Sequence, residues 1–217
     1  MLNKRTQTAN LKKQNLITYT RSNSIISDQF RTIRTNIKFL TEEKENKTFL
    51  MTSPGSGEGK TTLIANLAVS MAQQKEKVLL IDANLRNPNI HNVFKTSNEI
   101  GLTDVLTGKI SIEEATYIPG IGKLKVLTSG STLVNPAELL GNELMIDLLK
   151  KETSAYDMVL IDSPTVLDFT ETRILANMCD GVVLILQRGK TGMEKAIEAQ
   201  RVLDLAHAEI VGVIVNK

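Results

Sequence analysis

Between Phe49 and Leu63 the chain reads FLMTSPGSGEGKTTL: an apolar run, a glycine-rich turn, a Gly-Lys-Thr-Thr tetrad, then an amphipathic run. Those residue types, in that order, suit a triphosphate. Gly55, Gly57 and Gly59 let the backbone turn tightly and aim its N–H groups at an anion, which also meets the positive end of the following helix. Ser56, Glu58 and Thr62 fill out the loop around the nucleotide. Lys60 is spaced to reach the β- and γ-phosphates, and the Thr61 hydroxyl to complete the coordination of Mg²⁺. The spelling is irregular, because Pro54 stands where the usual pattern opens with glycine. The bland alternative is a glycine-rich turn that binds nothing.

Two acids follow the same grammar. Val78 to Asp82 and Asp157 to Asp162 are apolar runs that end in Asp82 and Asp162. As strands of a parallel sheet they deliver both carboxylates to the carboxyl edge, where open α/β sheets bind ligands. Asp162, ahead of Ser-Pro-Thr, resembles the end of a Walker B strand, whose carboxylate holds Mg²⁺ directly or through water. Asp82 is left for the nucleophile: it would orient an attacking hydroxyl and accept its proton, or bind Mg²⁺ water, and the sequence keeps both open. The expected metal set is therefore Thr61, Asp82 and Asp162, with Lys60 stabilising charge on the transferring group. Arg86, in the turn-forming tract Ala83 to Pro88, is either a phosphate contact or a surface arginine.

The rest of the chain must hold these groups. Aromatics make up 4% of the 217 residues and Trp is absent, so the core is aliphatic, as in a buried parallel sheet. Strands are expected at Thr48 to Thr52, Val78 to Asp82, Leu124 to Leu127, Asp157 to Asp162, Val182 to Leu186 and Ile210 to Val215. Helices are expected at Ser27 to Glu45, from the loop to about Gln74, at Pro136 to about Lys151, Glu171 to Met178 and Met193 to Ala206, with short ones at Thr103 to Leu106 and Ile112 to Thr116. Such alternation gives an α/β fold, a mainly parallel sheet covered by helices on both faces. Residues 1–26 carry Lys4, Arg5, Lys12, Lys13 and Arg21 without an acid and read as a basic, flexible tail; residues 27–217 read as one domain. A net charge of +2 gives no argument for nucleic acid. Cys179 is the single cysteine, read as a small core residue of a reducing compartment. With no apolar stretch of membrane-spanning length and no signal peptide, the expected location is cytoplasmic.

Taken together, these tracts resemble the bacterial protein tyrosine kinases that accompany capsular and exopolysaccharide synthesis, P-loop NTPases in fold. The resemblance runs from about Ser27 to Lys217 and is carried by residues 28–36 (DQFRTIRTN), 53–62 (SPGSGEGKTT), 79–88 (LLIDANLRNP), 101–108 (GLTDVLTG), 135–140 (NPAELL) and 159–165 (VLIDSPT). It implies ATP and Mg²⁺ as cofactors and transfer of phosphate to tyrosine of proteins. It makes residues 79–88 a variant Walker A′ tract, with Asp82 and position 84 in catalysis. It also implies a homo-oligomeric ring through Asp28, Arg31 and Arg34, and a separate transmembrane activator protein that brings the chain to the inner face of the cell membrane. Three positions depart from the pattern. Asn84 stands where a second Asp is usual, and an amide cannot take a proton. Asp28 replaces Glu. The chain stops at Lys217 with Tyr19, Tyr117 and Tyr156 in place of a tyrosine-rich tail. The alternatives are a nucleotide-binding scaffold with weakened catalysis, or a septum-site or partition-type switch ATPase. The latter shares the Asn216-Lys217 ending, in which Asn216 would touch adenine, but carries a lysine where this chain has Gly55.

Overall fold

Five- to seven-residue runs rich in Val, Ile and Leu, too short for buried helices, build the centre of the molecule. The computed structural model describes residues 16–44, 47–131 and 135–217. Its elements in chain order are α1 (Ile17–Thr20), α2 (Ile25–Lys44), β1 (Thr48–Thr52), α3 (Lys60–Ala72), β2 (Lys77–Asp82), α4 (Ile90–Phe94), α5 (Leu102–Leu106), α6 (Ile112–Ala115), β3 (Lys123–Leu127), α7 (Pro136–Leu140), α8 (Glu143–Ala155), β4 (Met158–Asp162), α9 (Thr170–Met178), β5 (Gly181–Gln187), α10 (Met193–Leu205) and β6 (Ile210–Asn216). The six strands form one sheet in the order β3-β2-β4-β1-β5-β6, with all neighbours parallel.

Alternation along each strand divides the core in two. Phe49, Met51, Val78, Leu80, Leu160 and Val183 face α2 and α3, where they meet Phe30, Ile37, Ile64, Leu67 and Met71. Leu50, Leu79, Ile81, Val159, Ile161 and Leu184 face the other way, onto Met145, Leu149, Leu175 and Leu203 of α8, α9 and α10. Helices thus cover both faces, as the composition implies. Asp82 and Asp162 continue the even-numbered series of β2 and β4, so both carboxylates lie on the α3 face at the carboxyl edge.

Some boundaries differ from the sequence expectation, each for a local reason. The stretch Pro136 to Lys151 is two helices, since Asn142 breaks it with an extended backbone and its side chain caps α8 by accepting from the Leu144 N–H. β4 starts at Met158 because Asp157 turns back to lock β2: its carboxylate accepts the Lys77 N–H at 2.8 Å. α4 was not expected at all. Cys179 follows α9 as its C-cap residue, half-buried against the core beneath α8 and α9. The end of the helix expected to Glu45 lies outside the described residues. Among the described residues no helix is long and apolar enough to cross a membrane.

The largest difference is at the start. The packed unit takes in chain from Leu16 onward, ahead of the expected boundary at residue 27, and residues 1–15 lie outside those described. Leu16 is fully buried. Thr18 donates from its N–H and its hydroxyl to the Asn66 side chain on α3, both at 3.0 Å. Asn66 also donates to the Thr62 carbonyl at 2.8 Å. Replacing it leaves the buried Thr18 N–H without an acceptor, a defect of about 2 kcal/mol. Asn66→Ala should lower the urea midpoint by a corresponding amount; an unchanged midpoint would show that α1 does not contribute to the stability of the unit.

Candidate nucleotide and metal site

The glycine-rich loop joins β1 to α3 as its sequence demands. Gly57 and Gly59 have φ of 71° and 91°, left-handed values that a side chain would strain. At Gly59 there is also no room, for a Cβ would fall 2.4 Å from the Asn216 side-chain nitrogen. The loop opens onto the first turn of α3, a 13-residue helix whose unpaired N–H groups favour an anion there. Lys60 is buried, and its Nζ donates to Ser53 Oγ at 2.9 Å. Burial pulls its proton affinity down, opposed mainly by the charge of Asp162 and then of Glu58 and Asp168. A buried ammonium whose hydrogen bond goes to a hydroxyl retains donors for a phosphate.

Asp82 and Asp162 are register partners on adjacent strands, and both are fully buried. Burial raises the proton affinity of each, and at Asp82 the neighbouring Asp162 raises it further. Their hydrogen bonds divide the work. Asp162 Oδ2 accepts from Thr61 Oγ1 at 2.6 Å, while its Oδ1 is buried with no partner. Asp82 accepts three backbone N–H groups: Ile90 at 2.9 Å, Asn89 at 3.1 Å and Asn84 at 3.2 Å. It closes the turn after β2 and caps α4. An unpartnered carboxylate oxygen beside a hydroxyl and a second carboxylate is a hard-oxygen set, which fits Mg²⁺. Among the described residues no group of three or more His, Cys, Asp or Glu forms a metal cage, so further ligands would come from water and phosphate.

The structure thus brings together Lys60, Thr61, Asp82 and Asp162. Other expected residues are engaged differently. Arg86 places Nε and NH2 on Oε1 of the buried Glu171, at 2.8 and 2.7 Å, and its guanidinium lies 4.9 Å from the centre of the Phe169 ring. The half-buried Asn84 accepts the Asn87 N–H at 3.2 Å, shaping the turn. Glu58 is buried and accepts the Thr191 hydroxyl at 2.6 Å, so it braces the loop from within. Asn216 donates to the Glu58 carbonyl at 3.1 Å and reaches the loop directly. Ser56 and Thr62 are exposed. On α2, Arg31 pairs with Asp28 and donates to the Ser22 carbonyl, whereas Arg34 reaches the Ser70 carbonyl and hydroxyl of α3 at 2.7 and 3.1 Å. Ser53 and Thr191 went unnoticed in the sequence; Ser53, seven residues before Lys60, was the more readable.

Residues 46–208 match a family described as an AAA domain. The chain is 45% identical over 204 residues to the tyrosine-protein kinase YwqD of Bacillus subtilis, an alignment covering 94% of this chain and 86% of the relative. The chain belongs to the bacterial tyrosine-protein kinases. A crystal structure of the chimerical protein CapA2B2 superposes on this kinase with a TM-score of 0.90 at 30% identity, covering 94% of this chain and 89% of the other. The septum-site-determining protein of Pyrococcus horikoshii, solved with Mg-ADP, gives 0.64 at 26% identity over 78% and 69%. The P-loop fold is thereby common to both groups, and with it nucleotide binding aided by a divalent metal. The kinase group is much nearer.

The Arg86 contact separates two roles. If the guanidinium chiefly neutralises Glu171, Arg86→Ala leaves a buried carboxylate unpaired and destabilises this kinase by about 3 kcal/mol, while its affinity for Mg-ADP stays the same. Chemical denaturation and a nucleotide titration check both halves; lost affinity with unchanged stability would restore the phosphate role.

Proposed function

We propose that this kinase transfers the γ-phosphoryl group of ATP to tyrosine on protein substrates, with Mg²⁺, and so regulates capsular or exopolysaccharide synthesis and export. The observation that carries this reading is the unpartnered Asp162 Oδ1, buried beside Thr61 and Asp82 at the foot of the loop that holds Lys60. The loop amides and Lys60 bind the phosphates and stabilise charge on the transferring group. Thr61, Asp82 and Asp162 would hold Mg²⁺, which when bound draws charge off the phosphates. Asp82, fixed by three amides, is also the residue to orient the incoming hydroxyl and receive its proton. Asn216, at the rim of the loop, is assigned to the adenine.

One observation favours the scaffold reading as a second choice. Asn84 is locked into its turn by accepting the Asn87 N–H, and its amide oxygen is not basic enough to take up a proton, so the site has one carboxylate fewer than the family pattern. The switch ATPase lacks such support, since Gly55 stands where its lysine would be. For assembly, we assign Asp28 and Arg31, exposed on α2, to contact with a second copy in a homo-oligomeric ring. Arg34 serves its own α3. A separate transmembrane activator would bring the protein to the inner face of the membrane.

With γ-labelled ATP, Mg²⁺, a tyrosine peptide and the cytoplasmic part of an activator, Lys60→Met and Asp162→Ala should each lower transfer by on the order of 100-fold or more. Asn84→Asp keeps the acceptor for Asn87 and should raise transfer by about tenfold. Full transfer in either of the first two removes the site assignment; ATP binding without transfer in all, Asn84→Asp included, leaves the scaffold. Separately, Arg31→Ala should lower the mass seen by light scattering to that of a monomer. An unchanged mass would remove α2 from the interface.

A further inference from the structure

The turn between β5 and α10 reaches the phosphate loop from outside. It is shaped by Gly189, whose φ is 76°, and closed by the Lys190 and Thr191 N–H groups, both on the Gln187 carbonyl at 3.1 and 2.9 Å. The Thr191 hydroxyl accepts the Gln187 N–H at 2.8 Å and donates to Glu58. Two anchors flank it, because the Arg188 N–H donates to the Asn216 carbonyl and the Asn216 side chain donates to the Glu58 carbonyl. On this base stands Lys190, an exposed lysine that no motif includes. Its Nζ donates to the carbonyls of Ser56 at 2.7 Å and Gly57 at 3.1 Å.

Those two carbonyls determine where two amides point. In a trans peptide the C=O and the N–H of the next residue lie in one plane and point in opposite directions. Drawing the Ser56 and Gly57 oxygens outward onto an ammonium therefore turns the Gly57 and Glu58 N–H groups to the inner side of the loop. Gly57 has a left-handed φ of 71° and no side chain to stiffen it, so its peptides are the ones most free to flip. The fit at this point is close: a Cβ on Gly57 would fall 2.8 Å from Lys190 Nζ.

We propose that Lys190 is a positioning residue for nucleotide binding, holding the Ser56–Gly57 and Gly57–Glu58 peptides with their N–H groups turned toward the phosphates. This rests on the reading of the loop as a nucleotide cradle. In this role Lys190 acts through the two backbone carbonyls it holds. Its contribution falls on ground-state binding, because the same amides hold the phosphates before and during transfer.

The test uses the full chain, a fluorescent ADP analogue with Mg²⁺, and the peptide kinase assay. Lys190→Ala should raise the Kd for Mg-ADP and the KM for ATP by about tenfold, as loss of a charge-assisted bond implies, with kcat little changed. Lys190→Arg, still able to donate to both carbonyls, should regain most of the affinity. Lys190 is exposed, so both variants should fold. A Kd for Lys190→Ala equal to that of the wild type overturns the inference, as does Lys190→Arg binding no better than Lys190→Ala. A fall in kcat with KM unchanged overturns it too. Wild-type protein that binds no Mg-ADP overturns the cradle itself, and the inference with it.

Discussion

Two carboxylates side by side at the ends of adjacent buried strands form the constraint to which the rest of the site answers. Taking even one ionised carboxylate out of water costs several kcal/mol, and a second beside it repels the first. Apolar residues at positions 82 and 162 would pack into the same sheet without that cost. The fold compensates with specific donors: three backbone amides on Asp82, the Thr61 hydroxyl on Asp162, and the charge of Lys60 nearby. These do not complete the shell, since one oxygen of Asp162 has no protein donor. A divalent cation is the partner that matches both the charge and the remaining oxygen.

The strand order brings this about. The chain builds β1, passes outward to β2 and β3, then returns to insert β4 between β2 and β1 before moving to β5 on the far side. The insertion puts Asp162 in register with Asp82 on one side and with Met51 of β1 on the other. Because β1 runs straight into the glycine-rich loop, Thr61 at the start of α3 comes within a hydrogen bond of Asp162. Parallel pairing and the alternation of buried side chains then leave both acids no choice of face. The reversal of strand order around β1 is also where α/β sheets open a crevice for ligands.

This much was legible in the sequence because it follows from local pattern: apolar runs of strand length, a glycine-rich turn, and an acid at the same place in two runs. What escaped depends on partners far away in the chain. Thr18 belongs to the packed unit through Asn66, 48 residues on, and nothing in the basic composition of the first residues signals it. Arg86 reads as either a phosphate contact or a surface arginine, and its pairing with Glu171, 85 residues on, is not visible in the sequence. Asp82 reads as a residue for the nucleophile or for Mg²⁺ water, and the sequence does not show that the turn at Asn89 and Ile90 folds back to donate two amides to it. The break after Gly141 is local in origin: Asn142 is a good helix cap in the sequence, but the apolar pattern runs through it and reads equally as one helix.

These distant contacts divide the site into two halves with separate supports. The phosphate loop is braced by the β5–α10 turn and by Asn216 at the end of β6, through Glu58 and the Ser56 and Gly57 carbonyls. The tract after β2 is braced by α4 and by Arg86 on Glu171 of α9. The two supports meet where α9 packs against α10, with the Asn177 side chain donating to the Ala206 carbonyl at 2.9 Å. The phosphate loop and the paired acids therefore have different immediate supports, joined where Thr61 bonds to Asp162 and where α9 packs on α10, so that a change at one end of the site can reach the other.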